Sequence, residues 1–166
     1  MGIRYAEKLQ IVPLYAPAAT TDDVESALVK MKNVQHLSFL VMWGVLAADT
    51  DFFTLTVKSA DTNSTGSGDV ALPFKYRLAS AVATDSWGAI TDATAAGVAV
   101  LGTQDGKGIL IDVDPSIIPA LDANAENVYL DIASNAEDTY ANAGFAIWAI
   151  IEPRYPQNAN LSSTGV

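Results

Sequence analysis

The stretch HLSFLVMWG (His36 to Gly44) places Leu37, Phe39, Val41 and Trp43 at every second position. Side chains in an extended strand alternate between faces, so this spacing puts all four on one side. DFFTLTVKSA (Asp51 to Ala60) repeats the pattern, with Phe53, Leu55 and Val57 on one face and Thr54, Thr56 and Lys58 on the other. Two such half-buried strands, rich in β-branched and aromatic residues, set the expectation of an all-β chain.

Working outward, the same signature recurs. PFKYRLAS (Pro73 to Ser80) aligns Phe74, Tyr76 and Leu78, and NVYLDIAS (Asn127 to Ser134) aligns Val128, Leu130 and Ile132. VAVLG and GILIDVD flank TQDGK, and an Asp-Gly pair between apolar runs predicts a hairpin. FAIWAII (Phe145 to Ile151) is unbroken in its apolarity, which predicts a central strand covered on both faces. KLQIVPLY (Lys8 to Tyr15) contains Pro13, so it reads as an edge strand or arm. VESALVKMK (Val24 to Lys32) fits either a helix or a short strand. DTNSTGSGD (Asp61 to Asp69) holds only turn formers, and PSIIPALD suits one helical turn with Pro115 in its first position. The sum is eight or nine short strands with trivial helix and no internal repeat, the pattern of an antiparallel sandwich or barrel. Residues 1–17 read as an N-terminal arm, 18–155 as the β domain and 156–166 as a polar C-terminal tail.

Composition narrows the function. The chain has 166 residues, half of them hydrophobic and 17% charged, which excludes a disordered chain. Without cysteine there is no disulfide scaffold, thiolate zinc site or cysteine nucleophile, which suits a reducing cytoplasm. A net charge of −10, with nine scattered basic residues, argues against nucleic acid and anionic membranes as partners. No apolar run approaches the ~20 residues of a membrane span. MGIRYAEKLQIV carries charges where a signal peptide needs its apolar core, so no export signal is expected. Mean hydropathy is nonetheless positive, +0.22. The excess is either buried between subunits or spread over Ala- and Thr-rich loops.

No catalytic or metal constellation emerges. His36 is the single histidine and lacks the partners of a triad or zinc site. GTQDGKG (Gly102 to Gly108) misses the phosphate-loop spacing. DTNSTG offers Asp61, Asn63 and Thr65 as oxygen ligands, but Leu72 stands where a calcium loop needs glutamate. Asp112, Asp114, Asp122 and Glu126 cluster in sequence, but Asp112 and Asp114 lie at a strand end before a turn, where acids serve as turn formers rather than as a glycosidase pair. With no export signal expected, the sequons at Asn63 and Asn160 read as chance matches. Glu152 and Arg154 are two apart on a strand, so they should share a side, with Pro153 and Pro156 ending the pairing. A strand-end or interface salt bridge is the expectation there.

The arm YAEKLQIVPLYAP, the segment VKMKNVQHLSFLVMWGVL, the mid-chain FKYRLA with the TDSWGA stretch, and the terminal AIIEPRYPQN together resemble small virion structural proteins of tailed bacteriophages, encoded beside the capsid gene. The resemblance spans most of the chain and rests on structural motifs. It implies a jelly-roll-like β-sandwich with extended terminal arms. Its expected role is that of a capsid decoration or cement protein on the virion exterior, made in the host cytoplasm. The major capsid protein would be its partner, a homotrimer its assembly, and it would have no enzymatic activity and no cofactor. Under that reading Arg4, Tyr5, Tyr15, Glu152, Arg154 and Tyr155 are the candidate interface residues. The alternatives are a neck, tail or head-fibre component, or a carbohydrate-binding module using an exposed tryptophan. Trp43 and Trp148 are expected in the core and Trp87 in a loop.

Overall fold

A computed structural model describes residues 8–20, 23–46, 51–66, 68–134 and 143–154. It is an all-β sandwich of two antiparallel sheets. Among the described residues its twelve strands are β1 (Gln10–Thr20), β2 (Val24–Glu25), β3 (Val29–Lys30), β4 (Val34–Trp43), β5 (Asp51–Ala60), β6 (Val70–Leu72), β7 (Phe74–Leu78), β8 (Thr91–Ala93), β9 (Val98–Leu101), β10 (Gly108–Val113), β11 (Asn127–Ser134) and β12 (Ala143–Pro153). A single helical turn, α1 (Ile118–Leu121), follows β10. The first sheet runs β1-β12-β4-β10-β7-β8; the second runs β2-β11-β5-β6, with β3 also on β11 and β9 also on β5.

The inward faces are those the alternation predicts. Leu37, Phe39, Val41 and Trp43 meet Phe53, Leu55 and Val57 across the sandwich, joined by Ile109, Ile111, Val128, Leu130 and Ile132. β1 lies at the edge, as Pro13 requires. The count exceeds the expectation because VESALVKMK forms two two-residue strands, while β6 and β8 are three residues each.

Three local expectations are corrected. β9 and β10 do not pair: β9 hydrogen-bonds β5 in one sheet and β10 bonds β4 and β7 in the other. The Asp105-Gly106 turn reverses the chain but carries it between sheets, because Val98 and Val100 must reach the core from one side and Ile109 and Ile111 from the other. The crossing is pinned by the Trp43 indole N–H on the Gln104 carbonyl (2.8 Å) and by Gly106 N–H on Gly44 O (3.1 Å). Gly106 adopts φ +64°, a region open to glycine. The helical turn starts three residues later than expected. Pro119 stands in its first turn, and Pro115 serves the preceding Asp114–Ile117 turn. Finally, β12 is internal but covered fully on one face only. Phe145, Ile147, Ala149 and Ile151 face the core, whereas Trp148 and Ile150 lie half-buried on the outer face, so Trp148 is not core.

One outward aromatic residue is buried after all. Tyr129 is 1% exposed, packed against Leu28 and Ala60 on the outer face of the second sheet. Its hydroxyl donates to Asp69 Oδ2 at 2.7 Å, and Asn127 ties the same loop down by donating to Thr62 O at 2.8 Å. Burial first, then the hydrogen bond and charge of Asp69, then Glu25 and Asp131, raise the Tyr129 pKa above its ordinary value. The unfolded chain therefore ionises this phenol near pH ~10 while the folded chain keeps it neutral. Stability should be unaffected below that pH and fall above it by up to ~1.4 kcal/mol per pH unit. Urea midpoints between pH 9 and 11 measure this. Tyr129→Phe should flatten the alkaline fall; an unchanged fall would assign it to other groups.

Candidate functional site

The outer face of the first sheet is where its sequence departs from the usual polar pattern. Register places Pro13, Trp148, Leu40, Leu110 and Arg77 in one row across β1, β12, β4, β10 and β7. The next row holds Ile11, Ile150, Ser38, Asp112, Lys75 and Asp92. Both rows are apolar at the β1 edge and charged at the β8 edge. Ile11 is 63% exposed and Met42 46%, with Leu40, Leu110, Trp148 and Ile150 half-buried between them. At the Gly44–Gly144 end this face dips into an open recess of about 470 Å³ lined by Pro17, Met42, Ala146 and Trp148. A contiguous apolar face on the outside of a sandwich marks a contact surface. The signal was present in HLSFLVMW, where Leu40 and Met42 make the second face of the strand apolar too.

The charged half carries the chain's histidine. Ser38 Oγ donates to Asp112 Oδ1 at 2.5 Å, and His36 Nε2 lies 3.3 Å from the same oxygen. These residue types recur in serine hydrolases, but their order here is different. Hydrolysis needs the serine against the imidazole, with the carboxylate behind it. Here the serine and the histidine both address the carboxylate, so the imidazole has no hydroxyl to deprotonate. A Lys75–Asp92 ion pair completes the row. The recess beside it, about 500 Å³, has Phe74, Val113 and Ile117 in its lining. Asp114 on its rim is held below the ordinary carboxylate range by the Ser116 hydroxyl and then the Ser116 N–H (2.9 Å), against a small desolvation effect.

The remaining candidates separate in space. Asp122 accepts from Ser59 Oγ at 2.7 Å, and Glu126 lines a different recess from Asp112 and Asp114, so the acids do not converge. In the 61–69 loop, Asp69 accepts from Gly66 N–H (2.8 Å) and from Tyr129, and Thr65 donates to Glu25 (2.6 Å). That loop lies against Tyr129, with the Asp69 carboxylate and the Thr65 hydroxyl engaged within the chain. Among the described residues, no group of three His, Asp or Glu is placed to hold a metal, and no helix is long and apolar enough to cross a membrane.

Of the proposed interface residues, Arg4, Tyr5 and Tyr155 lie outside the described residues, as does the 156–166 tail. Tyr15 pairs with Ile147 after a register shift in β1 and packs half-buried against the core. Glu152 pairs with His36 on the outer face. A second shift between Glu152 and Pro153 breaks the alternation, and Arg154 instead lines a recess with Lys30 and Lys32. Among the described residues Glu152 and Arg154 form no ion pair with each other. Nor does the chain leave its sheet at Glu152, since Pro153 still pairs with Val34 and Arg154 N–H bonds Asn33 O at 2.7 Å. Trp87 is 37% exposed in its loop. Compared with protein-family models, curated proteins and solved structures, the chain matches none of them.

Proposed function

We propose that this protein is a structural component of a tailed-phage virion, which binds the outside of the assembled capsid as a homotrimer and stabilises it. The observation that carries this reading is the apolar outer face around Ile11, Leu40, Met42, Trp148 and Ile150. A β-sandwich that leaves such a face uncovered needs a partner surface. A closed shell offers many identical ones, so weak contacts add by avidity. The major capsid protein is the partner, and binding only the assembled state stabilises that state by mass action. The acidic outer surface tolerates this position, away from packaged DNA.

The test is add-back of purified protein to capsids that lack it, read by co-sedimentation and by survival of heated heads. Ile11→Glu with Met42→Glu puts two charges into the apolar face at exposed positions, where the fold tolerates them. Apparent affinity should drop at least ~10-fold, since each site loses apolar contact and gains a charge to desolvate. Leu121→Glu, exposed on α1, should bind as the unaltered protein does. Equal binding by the double variant would remove this face from the contact. No binding by the unaltered protein would reject the capsid role.

A further inference from the structure

We infer that the recess lined by Lys30, Lys32 and Arg154 receives the carboxylates of Asp23 and Glu25 from a second copy of this chain. The inference rests on the self-association part of the reading above and assigns the surfaces that make it.

The recess has a volume of about 550 Å³ and opens at one end of the sandwich. Its floor includes Val34 and Ile118, and Glu126 is the one acid in its lining. Three of the chain's nine Lys and Arg residues meet there, in a protein of net charge −10. Of the described cations elsewhere, Lys8 and Lys107 also lack an ion pair among the described residues, whereas three others are engaged. Lys58 pairs with Asp131 at 2.6 Å, Lys75 pairs with Asp92, and Arg77 Nε donates to Gly88 O at 2.9 Å. Among the described residues, Lys30, Lys32 and Arg154 have no carboxylate within ion-pair distance. Three like charges held around an apolar floor repel one another, and an entering anion relieves that repulsion.

The backbone holds them in place. Asn33 takes φ +64° in the turn that brings Val34 N–H to Met31 O at 3.2 Å, so Lys30 and Lys32 flank a tight reversal. Met31 N–H donates to Glu126 O at 2.9 Å, and Arg154 N–H to Asn33 O at 2.7 Å. With the backbone fixed in advance, the entropy lost on filling falls mainly on the three side chains.

The complementary surface lies on the same chain. Asp23 and Glu25 sit at the edge of the second sheet, with Glu25 in register with Asp131 and Asp69 nearby across the 61–69 loop. Asp23 accepts from Ser134 N–H at 2.8 Å and Glu25 from Thr65, so both carboxylates are oriented yet exposed. Strongly acidic chains repel each other at a distance, so a contact between copies is favoured where this pattern is locally reversed. A contact between unlike surfaces makes a ring, such as a trimer, when the rotation from copy to copy closes.

Charge reversal tests the contact. The association state of the full chain is measured by native mass spectrometry and sedimentation at matched ionic strength, with circular dichroism as the folding control. The unaltered protein should associate. Lys30→Glu, Lys32→Glu and Arg154→Glu together should weaken association at least ~10-fold, and so should Asp23→Lys with Glu25→Lys. The chain carrying all five substitutions has both surfaces reversed and should associate again. Half-reversed variants that associate normally would overturn the assignment, as would a fully reversed chain that stays monomeric. An unaltered protein that remains monomeric at high concentration would overturn the contact itself, while capsid add-back separately decides the virion reading.

Discussion

Phe53→Ala should lower the thermal midpoint by about 6–20 °C. Phe53 is fully buried on β5 in the second sheet. Its ring meets Trp43 at 5.5 Å and Phe145 at 5.1 Å, both edge-on, and those partners belong to β4 and β12 of the first sheet. The three rings are thus an inter-sheet clasp. Truncating a buried phenylalanine costs about 3–5 kcal/mol, from lost transfer energy and from the cavity left behind. The two edge-on contacts each account for ~0.5–1.5 kcal/mol of aromatic pairing beyond area. In a chain of this size each kcal/mol moves the midpoint by roughly 2–4 °C. Thermal unfolding followed by near-ultraviolet circular dichroism reads both the midpoint and the tryptophan environment. A shift under ~3 °C would mean that the two sheets are not joined through Phe53.

The same cluster shows what was legible in the sequence. Phe53 could be assigned inward from period two alone, because the polar face of Thr54, Thr56 and Lys58 forces the other inside, whereas period two only grouped Trp43 with Leu37, Phe39 and Val41. Phe145 could be assigned to the core from its apolar run, but the run hid the role of Trp148 and Ile150. Where both faces are apolar, alternation no longer says which one is covered from within. Sheet membership was also beyond local reading. The Asp105-Gly106 turn specifies a reversal, and whether the returning strand pairs with its predecessor or crosses to the opposite sheet depends on what else competes for its edge. Here β10 finds β4 and β7, and β9 finds β5. The candidate site followed the same rule. Arg154 could be singled out from its proline-flanked context. Its grouping with Lys30 and Lys32 depends on the register shift after Glu152 and on the tight turn at Asn33, and neither feature has a signature in spacing.

Gly97→Ala should be among the most damaging single substitutions for its size, at about 2–5 kcal/mol. Gly97 closes the turn that starts at Thr94, donating its N–H to Thr94 O at 3.0 Å, with φ +82°. An alanine in this left-handed region costs roughly 1–2 kcal/mol. The added methyl would also collide with the Leu55 carbonyl oxygen and the Thr56 Cγ2. A side chain could rotate aside, but the Leu55 carbonyl belongs to the β5 backbone and cannot. Relief requires moving β9 at Val98, the residue in register with Leu55, and forced overpacking of this kind adds about 1–3 kcal/mol. Gly106→Ala isolates the two contributions. Gly106 has φ +64°, and its added methyl would meet only Val82 Cγ2 at 3.4 Å, so it should show the conformational cost alone. Chemical denaturation of both variants gives the difference, and equal losses would mean that β9 does not approach β5 closely at Gly97. The consequence reaches beyond stability. β9 covers part of one side of β5, and displacing it would leave backbone donors and acceptors open to pairing with another chain. Gly97→Ala should therefore also promote aggregation on heating, and Gly106→Ala should not, which distinguishes an exposed strand edge from a general loss of stability.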